Sequence, residues 1–150
     1  GVCIAIGAPK VKKAIVEKLT NSLLFFPKLI HPSVIHGISE NAIGKGTIIC
    51  AGTIITINIT IGEFVILNLG CTVGHDTVIG NYCAFMPQSN IAGEVILGEA
   101  VYGGMGAGII NQVTVGNNVT LGAGSVVVKN IPSNCLAVGI PAKVIKEYEG

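Results

Sequence analysis

The 150-residue chain has no tryptophan, and only 11% of its residues are charged and 5% aromatic. No basic run is longer than Lys12-Lys13, and the formal net charge is +1. The electrostatic footprint needed to hold a phosphate backbone or an anionic membrane surface is therefore missing, which excludes nucleic acid as a charge-driven partner. The five cysteines (Cys3, Cys50, Cys71, Cys83, Cys135) include no CxxC pair and no ligand-like cluster, so a disulfide framework and structural zinc are both poor readings. Reduced thiols used as small apolar side chains, in a cytoplasmic protein, are expected instead. The segment after Gly1 lacks the basic start, apolar middle and small-residue cleavage site of a secretory signal. A mean hydropathy of +0.71 raises the question of a membrane span. The uncharged stretch 100–128 nevertheless carries seven glycines with Asn111, Gln112, Asn117 and Asn118, a composition far from that of a spanning helix.

What the chain does contain is a period of six. Stepping by six from Gly37 to Val127 meets a large apolar residue at fourteen of sixteen places, Gly37 and Gly103 being the exceptions. Four places further on, from Asn41 through Thr47, Cys71 and Val95 to Ile131, stands a small or β-branched residue in every case but Asn41. Glycine directly follows the aliphatic residue in eight of the sixteen units. Residues such as Cys71 and Val73 are alternate members of one short strand and share a face. The three residues left over, such as Gly74, His75 and Asp76, must turn the chain, and glycine is expected to relieve backbone strain there. Three such sides close a triangular coil of eighteen residues, with coils stacked about 4.8 Å apart as a parallel β-helix. A solenoid of this kind buries only its axis. Apolar residues in the outward places (Ile54, Ile66, Val78, Ile96, Tyr102, Val126) point to a side covered by other subunits.

The first thirty residues do not follow the period. Val2 to Ile6 reads as a buried strand, and Pro9 to Leu19 as a short amphipathic helix with Val11, Ile15 and Leu19 on one face. After the repeats, Gly139-Ile140-Pro141-Ala142-Lys143 reads as a turn into a short tail.

A prism packed with aliphatic side chains can hold reactive groups only at its corners. Of the three histidines, His75 alone lies in the regular repeat, and Asp76 follows it directly. One coil forward is Gly93, which leaves an open notch above the imidazole. Histidine is the side chain suited to take a proton near neutral pH, and a neighbouring carboxylate can hold its tautomer. Taken alone, the dipeptide equally fits an ordinary surface corner. His31 and His36 form an H-x4-H pair, but Pro32 breaks helical geometry between them, so structural use is the better reading than zinc.

The run Asn68-Leu69-Gly70-Cys71-Thr72-Val73-Gly74-His75-Asp76-Thr77-Val78-Ile79-Gly80 resembles the active-site segment of hexapeptide acyltransferases of the sialic acid O-acetyltransferase and UDP-4-amino-sugar N-acetyltransferase group. Leu121-Gly122-Ala123-Gly124-Ser125-Val126-Val127 and Gly139 to Lys143 resemble its acetyl-CoA-binding end. The resemblance implies a mainly β, left-handed parallel β-helix over residues 31–150, preceded over 1–30 by the remnant of an α/β, Rossmann-like nucleotide-sugar domain. It implies acetyl transfer from acetyl-CoA to an amine or hydroxyl of a sugar, as for a surface-glycan precursor, by direct attack and without a covalent enzyme intermediate. By matching position, His75 is the general base and Asp76 orients it, while Asn68 and Gly7 meet the nucleotide sugar. Gly93, Gly104, Met105 and Ala123 fall in the cofactor groove between subunits of a homotrimer, and Lys143 meets the cofactor's phosphates. Two departures stand out. Ala84 replaces a second histidine found in some relatives, and the glycine-rich start of the nucleotide domain is absent, as is an initiator methionine, so an upstream segment is expected. Outside this reading stand a γ-carbonic-anhydrase-like metalloenzyme, whose three histidines are in the wrong order here, and a non-catalytic β-helix scaffold.

Overall fold

A computed structural model describes residues 1–37 and 42–148; the repeat place Asn41 lies outside them. The period of six forms three parallel sheets that make the three faces of a prism. The first face stacks Leu29–Ile30, Ile48–Ile49, Ile66–Leu67, Ala84–Phe85, Tyr102–Gly103, Thr120–Leu121 and Cys135–Val138. The second stacks Ile35–His36, Ile54–Ile55, Thr72–Val73, Asn90–Ile91, Gly108–Ile109 and Val126–Val127. The third stacks Ala42–Ile43, Thr60–Ile61, Val78–Ile79, Ile96–Leu97 and Thr114–Val115. Register advances by eighteen residues per coil, as in the pairing of Val73 with Ile91 and of Ile91 with Ile109. The whole is a left-handed parallel β-helix.

Both inward places are buried throughout the coils, from Ile49 to Val127 in one and from Thr47 to Ile131 in the other. The hydroxyls among them are satisfied by corner carbonyls: Thr53 Oγ1 donates to Asn68 O at 3.1 Å and Thr77 Oγ1 to Ala92 O at 3.0 Å. No buried side-chain nitrogen or oxygen among the described residues lacks a partner, as a core of low polarity demands. Gly103 breaks the aliphatic row because the Phe85 ring, one coil earlier, fills the space its side chain would take.

The corner glycines serve two purposes, and the expected one, supplying the left-handed conformation, is met at Gly46, Gly52, Gly70, Gly106 and Gly124. Those following the aliphatic residue, Gly74 and Gly80 among them, do not have positive φ; a Cβ there would collide with the backbone of the next coil, at 2.5 Å from Gly98 O in the case of Gly80. The left-handed conformation falls two residues later and is borne largely by other residues, including Asn58 and Asp76, at φ 59° and 57°, residue types that tolerate it.

The N-terminal segment lies along the first face. Its helix α1 spans Pro9–Lys18, with proline in the first turn where no intrahelical N–H is needed. Val2 to Ile6 forms no strand: Val2 N donates to Phe25 O at 2.9 Å, only Ile4 of the five is buried, and no strand among the described residues pairs with it to complete a ladder. Of the three apolar residues expected on one face of the helix, Ile15 and Leu19 are half-buried but Val11 is 51% exposed, and the fully buried positions are Pro9 and Lys12. This segment, rather than another subunit, covers outward Ile66 and Ala84 (7% and 0% exposed), while Ile54, Val78 and Ile96 on the other faces stay open. At the far end, the expected tail is instead the strand Lys143–Glu147, antiparallel to Cys135–Val138.

Candidate active site

His75 and Asp76 occupy the edge between the second and third faces. His75 Nδ1 lies 2.7 Å from Asp76 Oδ2, and Asp76 Oδ1 accepts from Asn58 Nδ2 at 2.5 Å. Asn58 stands eighteen residues, one coil, before Asp76. The hydrogen bond from His75, with that from Asn58, holds the Asp76 carboxyl below the usual carboxylate range. An ionised Asp76 accepts the Nδ1 proton, which leaves Nε2 with a lone pair. That atom faces the next coil: a Cβ on Gly93 would lie 2.7 Å from His75 Nε2. The ring thus rests over Gly93, in the notch expected from the eighteen-residue count, and its backbone carbonyl is fixed by Glu94 N at 2.7 Å.

A second group forms on the edge between the first and second faces. Asn68, Met86, Gly104 and Gly122 succeed one another coil by coil there, and Ala123 follows Gly122 with its backbone against Gly104; Met105 is exposed, and its carbonyl accepts from Gly124 N at 2.8 Å. A pocket of about 300 Å³ brings Gly7 and Asn68 together with Met86, Cys50 and Ile66. Asn68 Oδ1 accepts from Leu69 N at 2.8 Å. Lys143 pairs with Val138, whose side chain meets the space above Gly122, next to Ala123. The nine residues singled out in the sequence therefore fall into two groups, His75, Asp76 and Gly93 on one edge and the rest on or above the other. Ala84 belongs to neither, being sealed under α1. Asn58 and Met86 were not foreseen; the eighteen-residue step back from Asp76 would have found the first.

Other chemistries find less support. His31 Nδ1 meets Ser33 Oγ at 2.9 Å while His36 Nδ1 faces Gly37 O at 3.2 Å, and no group of three or more metal-ligating side chains converges among the described residues. Burial pushes the Cys71 thiol up to about 11 and the Cys83 thiol to about 12, so neither offers a thiolate nucleophile near neutral pH. No helix among the described residues is long and apolar enough to cross a membrane.

No protein-family profile matches the chain. The structure is similar to that of PerB from Caulobacter crescentus in complex with CoA and GDP-perosamine, with 35% identity and a TM-score of 0.92, covering 96% of this chain and 69% of that one. GDP-perosamine N-acetyltransferase of Escherichia coli O157:H7 is 31% identical over 150 aligned positions, 95% of this chain and 66% of that protein. Serine acetyltransferase of Synechococcus elongatus is 34% identical over 92, and there the chain spans only 38% of its relative. The chain belongs to the hexapeptide-repeat β-helix sugar acetyltransferases.

Proposed function

We propose that the protein is a cytoplasmic, acetyl-CoA-dependent acetyltransferase acting on the amino group, or a hydroxyl, of a nucleotide-linked amino sugar for surface-glycan synthesis. The observation that carries this reading is the His75 ring, bonded to Asp76 through Nδ1 and presenting Nε2 over Gly93. The sugar's attacking nitrogen or oxygen gives its proton to His75 Nε2 as it adds to the thioester carbonyl, and Asp76 stabilises the imidazolium that forms. Collapse of the tetrahedral adduct breaks the carbon–sulfur bond, and His75 returns the proton to the departing CoA sulfur. The raised Cys71 and Cys83 thiols support direct transfer over an acyl-cysteine. The unpaired cysteines suit a reducing compartment. Support for the substrates comes from the CoA and GDP-perosamine bound to PerB.

The site is assembled between subunits of a homotrimer. Its two groups lie on the two edges that border the second face, so within one chain a whole face separates them. A threefold arrangement about that face sets the His75 edge of one protomer against the Asn68, Gly104 and Ala123 edge of the next, where Gly93 and Lys143 border the acetyl-CoA groove. Of the outward residues there, Ile54, Thr72, Gly108 and Val126 are apolar or small enough to pack closely, and Asn90 is engaged by Thr72 Oγ1 at 2.8 Å. The test is transfer from acetyl-CoA to GDP-perosamine and to a UDP-linked 4-amino sugar, with sedimentation of each variant. His75→Ala is expected to lose roughly 10²- to 10⁴-fold in kcat with the trimer intact; retained turnover would reject His75 as the base.

A further inference from the structure

Helix α1 carries a lysine at its most deeply buried position. Lys12 is 0% exposed, yet no carboxylate among the described residues is within ion-pair reach of it. Its Nζ donates instead to the carbonyl oxygen of Cys83 at 3.1 Å, in the corner between the third and first faces. The nearby acid, Glu99, is taken by Lys13 at 2.5 Å. The remaining titratable groups at this contact are the Cys83 thiol, which donates to Gly98 O at 3.1 Å, and the Tyr82 phenol, on which Glu17, Glu63 and Glu99 act. Burial pulls the Lys12 ammonium down to about 8.

Burying an unpaired ammonium is unfavourable, and a helix that needed only to adhere would carry leucine or methionine there. What a single buried donor adds is direction, because a hydrogen bond is lost within a few tenths of an ångström and a few tens of degrees, whereas an apolar contact slides. The residues so fixed are those at the start of the helix. Lys12 N donates to Ala8 O at 3.0 Å, which couples the anchored turn to Gly7-Ala8. Gly7 in turn packs on Met86, whose Cε lies 3.3 Å from where a Gly7 Cβ would stand, and borders the pocket that holds Asn68.

We infer that Lys12 is a positioning residue for the nucleotide-sugar half of the site: its bond to the Cys83 carbonyl sets the phase of α1 on the first face, and through Ala8 the place of Gly7 beside Met86 and Asn68. The inference rests on the acetyltransferase reading above. Since only the acceptor side is involved, the effect is confined to one substrate.

The experiment is steady-state kinetics of Lys12→Met, Lys12→Arg, Gly7→Ala and the Lys12→Met/Gly7→Ala double variant, with whichever nucleotide sugar, GDP-perosamine or the UDP-linked 4-amino sugar, the wild type turns over. Lys12→Met is expected to raise the acceptor KM roughly tenfold or more, a change readable against assay scatter, with the acetyl-CoA KM and kcat unchanged. Lys12→Arg, which keeps a donor, should restore the acceptor KM. If Lys12 acts through Gly7, the double variant is no worse than the poorer single one. An unmoved acceptor KM, a loss shared equally by both substrates, or effects that multiply would each overturn the inference, as would a Lys12→Met variant that fails to fold together with an Arg variant of wild-type fold but raised KM. Absence of wild-type turnover with either nucleotide sugar would reject the acetyltransferase reading and this inference with it, whereas wild-type turnover with an insensitive Lys12→Met variant rejects the inference alone.

Discussion

Two corners bordering the same face, six residues apart, meet opposite fates. The corner at Gly74 to Thr77 stands open, with the His75 side chain 56% exposed; the corner at Gly80 to Cys83 lies under α1, with Cys83 at 0%. Their backbones follow one pattern, and the inward residue ending each, Thr77 or Cys83, donates to a carbonyl one coil on. The difference comes from what lies outside. A bare edge leaves an imidazole with one committed nitrogen and one available, while a covered edge turns a thiol and a lysine into packing and anchoring groups whose acidities move in opposite directions. In a solenoid the repeat supplies a lattice of equivalent corners, and chemistry is assigned by covering some and exposing others.

The comparison can be broken at its shared support, at the covered edge or at the open one. Phe85 belongs to the single core the two corners share and occupies the space at Gly103; Phe85→Ala is expected to cost about 3–5 kcal/mol of stability, read by denaturant unfolding. At the covered edge, Lys12 sits near 8 in the folded chain and at 10.5 when unfolded. The unfolded state therefore binds more protons between those values, so stability rises with pH across about 8 to 10.5 by roughly 3 kcal/mol and is flat below. Lys12→Met should remove that rise, and parallel unfolding curves for the two proteins at pH 7.5 and 10 measure it. At the open edge, Gly93→Ala drives a Cβ into His75 Nε2. Displacing the ring by about an ångström should lower kcat on the order of 10²-fold with the acceptor KM and the melting temperature little changed. The smallest effect belongs to Asn58→Ala, which removes one of the two bonds on Asp76. A loss of a few-fold in kcat is expected, from roughly 1 kcal/mol of hydrogen bonding, together with a rise in the Asp76 pKa followed by carboxyl NMR.

The same contrast explains what could be read from the residues alone. Inward places are legible because every coil repeats the same packing requirement, and the apposition of His75 and Gly93 follows from counting one coil. The covering of the first face was not legible, since Ile66 looks as outward-facing as Ile54 until the N-terminal segment lies beside it. Lys12 was missed because apolar periodicity locates the side of a helix that meets side chains, whereas α1 meets a backbone carbonyl. The strand expected at Val2 to Ile6 depends on neighbours that hydropathy cannot supply. Glycine was credited with conformational freedom at Gly74, where its contribution is the missing Cβ between stacked coils; the freedom is used two residues further on, at corners such as Gly70 and Gly124.

The contact of the His75 ring with Gly93 is a relation of angle as much as of distance. Removing six residues anywhere between them would turn the remainder of the spiral by a third of a revolution and set Glu99, rather than a glycine, against the imidazole. Adding eighteen beyond Gly93 would lengthen the spiral and leave that meeting undisturbed. Lineages carrying this architecture are thus free to grow or shorten by whole revolutions, while the interval between base and notch is locked to a single value.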